Sequence, residues 1–113
     1  YGFPNLTALR LEQCSITPAG LVAIAKISTL KELDLTNVSD LTGDSLEPLT
    51  ALENLEVLDL DENFMIDGSA VDFLIDLKKL KKLKIGTTLL SSDDAALAEL
   101  REALPDLEIQ ESF

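Results

Sequence analysis

The chain has 113 residues, 46% of them hydrophobic but only 4% aromatic, and a formal net charge of -12. This length suits a single domain, and the scarcity of aromatic residues indicates a core of leucine and isoleucine side chains. The acidic balance argues against nucleic acid and against an anionic membrane surface as partners, because both would be repelled.

A leucine phrase of the form LxxLxL recurs along the chain. Its copies start at residues 6, 30, 55 and 80, with a partial copy at residue 104. Alternating leucines are typical of a short β-strand with one buried face. Each phrase is followed by a turn and then by apolar residues at steps of three, which predicts a short α or 3₁₀ helix. Five copies in phase indicate an internal repeat of 24 or 25 residues.

Cap residues predict where the helices begin. Thr17 is followed by Pro18, which is a cap residue before the one helical position that favours proline. Thr42, Asp67 and the Ser91–Ser92 pair occupy the equivalent places in later repeats. A strand and a helix cannot bury their apolar sides alone, so stacked repeats are expected to share one core between parallel strands and helices.

The stretch from Leu11 to Leu21, LEQCSITPAGL, resembles the turn phrase of leucine-rich repeats that carry cysteine at the turn. The tail from Leu97 to Ile109 is similar to the closing repeat of many bacterial leucine-rich-repeat proteins. The chain thus resembles the ribonuclease-inhibitor-like, cysteine-containing type. This resemblance implies an α/β solenoid, a right-handed superhelix with a curved parallel sheet on its inner face and short helices outside, in one domain over residues 1–113. Such a scaffold serves many partners.

The turn position after each strand breaks the regularity. It holds Cys14, Val38, Asn63 and Thr88, so the side-chain ladder expected there is mixed. The second repeat has an apparent extra residue, which predicts an irregularity around residues 36–44. The lone cysteine excludes an internal disulfide and favours a reducing compartment such as the cytoplasm.

The N-terminal end has two interpretations. Phe3 lies three residues before Leu6, as Ile27 does before Leu30, so it resembles the end of an upstream helix. If an upstream repeat is missing, the first strand is an uncovered edge that favours self-association. Alternatively, Tyr1, Phe3 and Pro4 form a small apolar lid; both interpretations stay open at this point.

The inner face is expected to carry the side chains that alternate with the strand leucines. One row reads Arg10, Asp34, Asp59, Lys84 and Glu108, the row two residues later reads Glu12, Thr36, Asp61, Gly86 and Gln110, and the row two residues earlier reads Ala8, Glu32, Val57, Lys82 and Asp106. Adjacent strands permit Arg10–Asp34 and Asp59–Lys84 ion pairs, whereas Asp34 beside Asp59 is an unfavourable like-charge contact.

We predict a non-catalytic protein-interaction module that binds a partner through this inner face and needs no cofactor or metal. The predicted contact residues are Arg10, Glu12, Glu32, Asp34, Val57, Asp59, Asp61, Lys82, Lys84 and Glu108. Glu32, Asp34, Asp59 and Asp61 form an acidic centre, flanked by Lys82 and Lys84, which favours a protein partner with a basic segment. A solvated face with compensating salt bridges is the plainer alternative, and a divalent cation held by the carboxylates is a further one. Charge reversal at Asp34 and Asp59 is expected to weaken binding and leave the fold intact.

Two other functions stay open. The repeat phrase around Cys14 resembles substrate-recognition domains of ubiquitin-ligase complexes, and the apolar N-terminal segment suits a structural subunit that docks through its repeat ends. An enzyme is disfavoured because the chain has no histidine, the commonest general base and metal ligand. Cys14, without a histidine partner, is expected to be a structural thiol. The lysines between residues 78 and 84 are expected to point in different directions, and the glycines to serve as turn formers.

Overall fold

A computed structural model describes residues 6–13, 15–38 and 41–111. Five short strands form one sheet: β1 (Ala8–Arg10), β2 (Glu32–Asp34), β3 (Val57–Asp59), β4 (Lys82–Lys84) and β5 (Glu108–Gln110). The strands follow one another across the sheet in chain order, and each pairs in parallel with the next. The predicted parallel sheet is therefore confirmed, and with its helices it fits an α/β repeat fold.

Short helices follow the first four strands. They are α1 (Pro18–Ile24), a 3₁₀ helix at Gly43–Ala51, a 3₁₀ helix at Gly68–Ala70 that continues into α2 (Val71–Leu74), a 3₁₀ helix at Leu90–Ser92, and α3 (Asp94–Ala103). None of the helices in the described ranges is long and apolar enough to cross a membrane. The mixture of α and 3₁₀ turns agrees with the short apolar stripes of the sequence.

The predicted cap residues are confirmed for the first three helical segments and wrong for the last. The side chain of Thr17 accepts a hydrogen bond from the Gly20 N–H at 3.2 Å, and Thr42 and Asp67 occupy the N-cap positions of the next two. For α3 the N-cap is Asp93, which replaces the expected Ser91–Ser92 pair. The Ser91 hydroxyl instead donates to the Thr88 carbonyl at 2.7 Å, so this serine stabilises the preceding turn.

The core lies between the sheet and the helices and is aliphatic. Leu33, Leu58 and Leu83, the central residues of the three inner strands, are at most 1% exposed. The corresponding residues of the outer strands, Leu9 and Ile109, are partly buried against the same core. Burial is therefore deepest in the middle of the repeat stack.

The register of β5 differs from the sequence-based alignment by two residues. The alignment of leucine phrases placed Glu108 beside Lys84. In the structure Glu108 pairs with Lys82, and Gln110 pairs with Lys84. The last member of each predicted row is therefore wrong, because Glu108 lies where Asp106 was expected.

The helix end explains this shift. The Leu107 N–H bonds the Leu104 carbonyl at 3.1 Å, just as the Leu80 N–H bonds the Leu77 carbonyl at 3.0 Å. Leu104 therefore corresponds to the last apolar residue of a helix, and it does not start a strand phrase. The three-residue step from Leu104 to Leu107 fits both alignments, and backbone pairing distinguishes them.

Each of the first four strands is followed by a turn with the same backbone conformation. Gln13, Asn37, Glu62 and Thr87 have φ values of 59°, 52°, 66° and 59°. The next position is buried at Val38, Asn63 and Thr88, which confirms that this ladder mixes apolar and polar side chains. Cys14, residues 39–40 within the predicted irregularity, and the N-terminal segment Tyr1–Pro4 lie outside the described residues.

Candidate functional site

The exposed side of the sheet carries two rows of side chains, one at the first and one at the third position of each strand. We call this surface the strand face; its first row is Ala8, Glu32, Val57, Lys82 and Glu108, and its second row is Arg10, Asp34, Asp59, Lys84 and Gln110. Side chains alternate along a strand, so these residues lie opposite the buried leucines. The face is built on the most regular part of the fold.

The structure places most of the predicted contact residues together on this face. The eight that lie in strands are Arg10, Glu32, Asp34, Val57, Asp59, Lys82, Lys84 and Glu108. Glu12 and Asp61 lie in the turns that follow β1 and β3. Ala8 and Gln110 complete the two rows although they were not among the predicted contacts. Strand alternation therefore predicted the surface correctly. The wrong register affected only the residues that β5 contributes to it.

One of the two expected ion pairs on the face is formed. Lys84 Nζ lies 3.6 Å from Asp59 Oδ2, and the two side chains are 36% and 14% exposed. No ion pair joins Arg10 to Asp34 within the described ranges. A partly exposed pair such as Lys84–Asp59 contributes little to stability, typically about 1 kcal/mol or less. Its main effect is to neutralise one of the central carboxylates.

The side chains of Asp34 and Asp59 also accept hydrogen bonds from the turns that directly follow them. Asp34 Oδ1 accepts hydrogen bonds from the Thr36 N–H at 2.9 Å and from the Thr36 hydroxyl at 2.6 Å. Asp59 Oδ1 accepts from the Asp61 N–H at 3.0 Å. Reversing the charge at Asp34 or Asp59 would remove these bonds as well as the negative charge, so these two positions do not separate binding from stability as cleanly as an unbonded carboxylate would.

Asp61, in the turn after β3, connects two consecutive repeats. Its Oδ1 accepts a hydrogen bond from the Gly86 N–H at 2.7 Å. Burial raises the pKa of Asp61, and the neighbouring charge of Asp59 raises it further, against the opposing effects of the Gly86 bond and Lys84. The carboxylate is therefore held at an electrostatic cost in the folded state.

The strand face contains a shallow depression of about 140 Å³. It is lined by Ala8, Leu9, Arg10, Glu32, Leu33, Asp34, Val57, Asp59, Lys82 and Lys84. Pockets for small organic ligands are usually about 300–1,000 Å³, so this depression suits part of a larger contact. The described residues hold no group of three or more acidic or cysteine side chains that could bind a metal ion.

Comparisons with known proteins agree with this architecture. Residues 4–25 match a family model described as a Leucine Rich repeat. The chain is 33% identical over 119 aligned residues to the human protein "Leucine-rich repeat-containing protein 56", an alignment that covers 93% of the chain and 21% of the human protein. Both matches support a leucine-rich-repeat family for this chain. Leucine-rich-repeat domains generally mediate protein–protein interactions and are generally not catalytic.

The lysine cluster between residues 78 and 84 is divided among different neighbours. Lys79 Nζ donates to Asn54 Oδ1 at 2.9 Å, and Lys81 Nζ lies 3.6 Å from Glu56 Oε1. Lys84 turns to the strand face. As predicted from the repeat register, these side chains do not form one basic patch.

A second surface is formed by residues that the repeat pattern did not predict. Phe64, Met65 and Leu89 are 63%, 55% and 59% exposed. They lie in the loops that follow β3 and β4. All three fall outside both the LxxLxL phrase and the helical stripe, so the repeat pattern does not require apolar residues there. That surplus of apolar residues is the signal that could have identified the surface.

Proposed function

We propose that this chain is a non-catalytic protein-interaction module that binds a protein partner through the strand face. We further propose that residues 1–113 form one domain wound as a right-handed solenoid of the ribonuclease-inhibitor-like type, with the strand face on its concave side. The family match supports the general role, since leucine-rich repeats generally bind other proteins. The choice of the strand face as the contact surface is supported by the arrangement and charge of its side chains.

The arrangement of side chains on five paired strands is the observation that carries this proposal. The backbone beneath them is fixed by parallel pairing in a single register, so binding requires no ordering of the backbone. Arg10, Glu32 and Glu108 are exposed, and Val57 lies half-buried at the centre. A polar surface with a central apolar side chain is typical of protein interfaces.

The charge of the face favours a partner with a basic segment. Glu32, Asp34 and Asp59 lie on the adjacent strands β2 and β3, and Asp61 follows β3. Lys84 is paired with Asp59, so an acidic area remains around Glu32 and Asp34. A basic segment would complement that area and would be attracted by the net charge of -12 during encounter.

The test uses Glu32 because it can be changed with little effect on the fold. Glu32 is exposed and, within the described residues, its side chain makes no hydrogen bond or ion pair. A photo-crosslinking residue at position 32 is expected to capture a partner, and the same residue at Glu53, exposed beyond the 3₁₀ helix at Gly43–Ala51, is expected not to. The partner's affinity is then measured for the wild type, Glu32→Lys and Glu53→Lys.

Charge reversal at Glu32 is expected to weaken binding about tenfold, with weaker salt dependence. Glu53→Lys changes the net charge by the same amount and is the matched control. Equal affinities of both variants would show that the strand face is not the contact surface. Substrate recognition in a ubiquitin-ligase-like complex is a special case of this proposal, and the same pair of variants tests it against a ligase-linked partner.

A second candidate is a structural subunit that associates through its repeat ends. Within the described residues β1 and β5 are the outer strands of the sheet, and an outer strand offers backbone groups to another chain. Leu9 in β1 is also less buried than its counterparts in the inner strands. Sedimentation at increasing concentration tests this: a monomer throughout excludes self-association, whereas a dimer crosslinked through position 8 supports it.

A further inference from the structure

Three exposed apolar residues lie in the neighbouring loops that follow β3 and β4. We call Phe64, Met65 and Leu89 the loop patch. The Leu89 N–H donates to the Phe64 carbonyl at 3.3 Å, so the two loops run side by side. Each of the three side chains is more than half exposed. Single exposed apolar residues are common on protein surfaces, but neighbouring ones are typical of contact sites.

The loop patch is held in place by the core. Ile66 directly follows Met65 and Leu90 directly follows Leu89, and both are 0% exposed. The Leu90 N–H also bonds the Ile66 carbonyl at 2.9 Å. The backbone can therefore not turn the exposed side chains inward without removing its buried neighbours from the core. A surface fixed in this way loses little conformational entropy on binding.

The surroundings of the loop patch are acidic. Residues 57–77, which include Phe64 and Met65, contain six acidic residues and no lysine or arginine. Residues 85–100, which include Leu89, contain three acidic residues and no lysine or arginine. Glu62 and Asp67 are exposed on either side of the Phe64–Met65 pair. An apolar contact here would have the exposed carboxylates of Glu62 and Asp67 at its rim.

We propose that the loop patch is a docking site for a segment of another protein in which an apolar side chain is flanked by lysine or arginine. The apolar side chain would pack on Phe64, Met65 and Leu89, and the flanking cations would face the surrounding carboxylates. This combination places apolar burial at the centre and charge at the rim, as in known interfaces. The site is separate from the strand face and does not depend on the function proposed for that face.

Other occupants fit these observations less well. A second copy of the chain would bring a further charge of -12 to the same acidic surface, and three side chains are far fewer than the roughly 20–30 residues that each partner contributes to a stable interface. An anionic membrane would be repelled for the same reason. The excess of negative charge around an apolar centre thus selects a basic partner.

The test is a titration of the isotope-labelled protein with three synthetic peptides, in which binding is monitored by the amide chemical shifts in NMR spectra. The first peptide has a central leucine flanked by lysines, the second has the same leucine flanked by glutamates, and the third has lysines flanking a serine. Only the first peptide is expected to shift the amides of residues 62–66 and 87–90, whereas any contact of a lysine peptide with the strand face would shift amides near Glu32 and Asp34. Its affinity is expected to fall as salt is added.

Variants connect the binding to the side chains. Phe64→Ser combined with Leu89→Ser is expected to weaken binding of the first peptide roughly tenfold or more, because each buried apolar side chain contributes substantially. Val22→Ser is the matched control, because Val22 is 47% exposed on α1. Thermal unfolding of each variant verifies the fold; if the double variant does not fold, Met65→Ser takes its place.

Several results would overturn the proposal. These are the absence of shifts at residues 62–66 and 87–90 with the first peptide, equal shifts there with the glutamate or serine peptide, and an equal loss of affinity in Val22→Ser. Loss of peptide binding in Glu32→Lys with no loss in the Phe64 and Leu89 variant would move the site to the strand face. A wild-type dimer that the loop-patch variant converts to a monomer would show that the occupant is a second copy.

Discussion

The buried side-chain amide of Asn63 connects two central repeats through hydrogen bonds. Asn63 Nδ2 donates to the Leu35 carbonyl at 2.8 Å and to the Leu60 carbonyl at 3.0 Å, and its Oδ1 accepts from the Val38 N–H at 2.8 Å. Asn63→Ala would leave these buried backbone groups without partners. Because each unpaired buried group is costly, we expect the free energy of unfolding to fall by roughly 2–4 kcal/mol, measured by urea denaturation.

The control for Asn63 is another asparagine with two side-chain bonds at the surface. Asn54 donates to the Ser28 carbonyl at 3.1 Å and accepts from Lys79. Water can replace these partners, so Asn54→Ala is expected to cost about 1 kcal/mol or less. If the two variants lost the same stability, the buried position of Asn63 would not be the source of its effect.

Asp61 gives a prediction that depends on pH. Because its pKa is raised in the folded state, chiefly by burial, the charged form is disfavoured by folding. Asp61→Asn keeps an oxygen that can accept from Gly86 and removes the charge. The variant is therefore expected to be more stable than the wild type at neutral pH.

This gain is expected to shrink as the pH falls through the folded-state pKa of Asp61 and to vanish below its ordinary value of 3.8, where the wild-type carboxyl is protonated in both states. Thermal unfolding across that pH range measures the difference. A gain that persisted at the lowest pH would assign it to packing and not to charge.

Neighbouring helices approach each other closely at glycines that begin 3₁₀ helices. A Cβ on Gly43 would lie 2.8 Å from the Ala70 backbone nitrogen and 2.6 Å from Asp67 Oδ1, whereas a Cβ on Gly68 would meet mainly the side chain of Asp93. Backbone cannot move aside as a side chain end can. We expect Gly43→Ala to lower the free energy of unfolding by about 1–3 kcal/mol and Gly68→Ala by less, in parallel denaturation curves. The reverse order would show that the backbone contact yields easily.

These glycines illustrate which features of the secondary-structure elements could be predicted from the sequence. The sequence indicated strands, helices and their order, because period and cap residues are local features. Gly43 was expected to serve a turn, but its role is the close approach of the next repeat, which depends on tertiary packing. The predicted register of β5 was wrong for a similar reason, because Leu104 fits either the start of a strand phrase or the end of a helix.

In the candidate site, too, local sequence features could be predicted and features that depend on tertiary structure could not. Alternation along the strands was enough to bring Glu32, Val57 and Lys82 onto one face. It did not reveal that Asp34 is engaged by Thr36, because an aspartate at a strand end can serve its own turn or a partner equally well. The exposure of Phe64 likewise depends on how the loop leaves the sheet.

The molecule as a whole is elongated, with extents of 40 × 27 × 23 Å, and consecutive strands pair along its length. Stability in such a stack depends on contacts between adjacent repeats. A central residue supports a repeat on both sides, whereas a residue at the end supports one. The effect of the same substitution should therefore depend on its position in the stack.

Leu58 and Leu9 test this dependence. Leu58 is 0% exposed in the central strand β3, and Leu58→Ala is expected to lower the free energy of unfolding by roughly 3–5 kcal/mol because it leaves a cavity. Leu9 occupies the equivalent position in the outer strand β1 and is only half-buried. Leu9→Ala is expected to cost about half as much or less, since less apolar area is lost. Amide hydrogen exchange should show faster opening of β1 alone in Leu9→Ala and of all strands in Leu58→Ala. Equal losses of stability would contradict the dependence on neighbouring repeats.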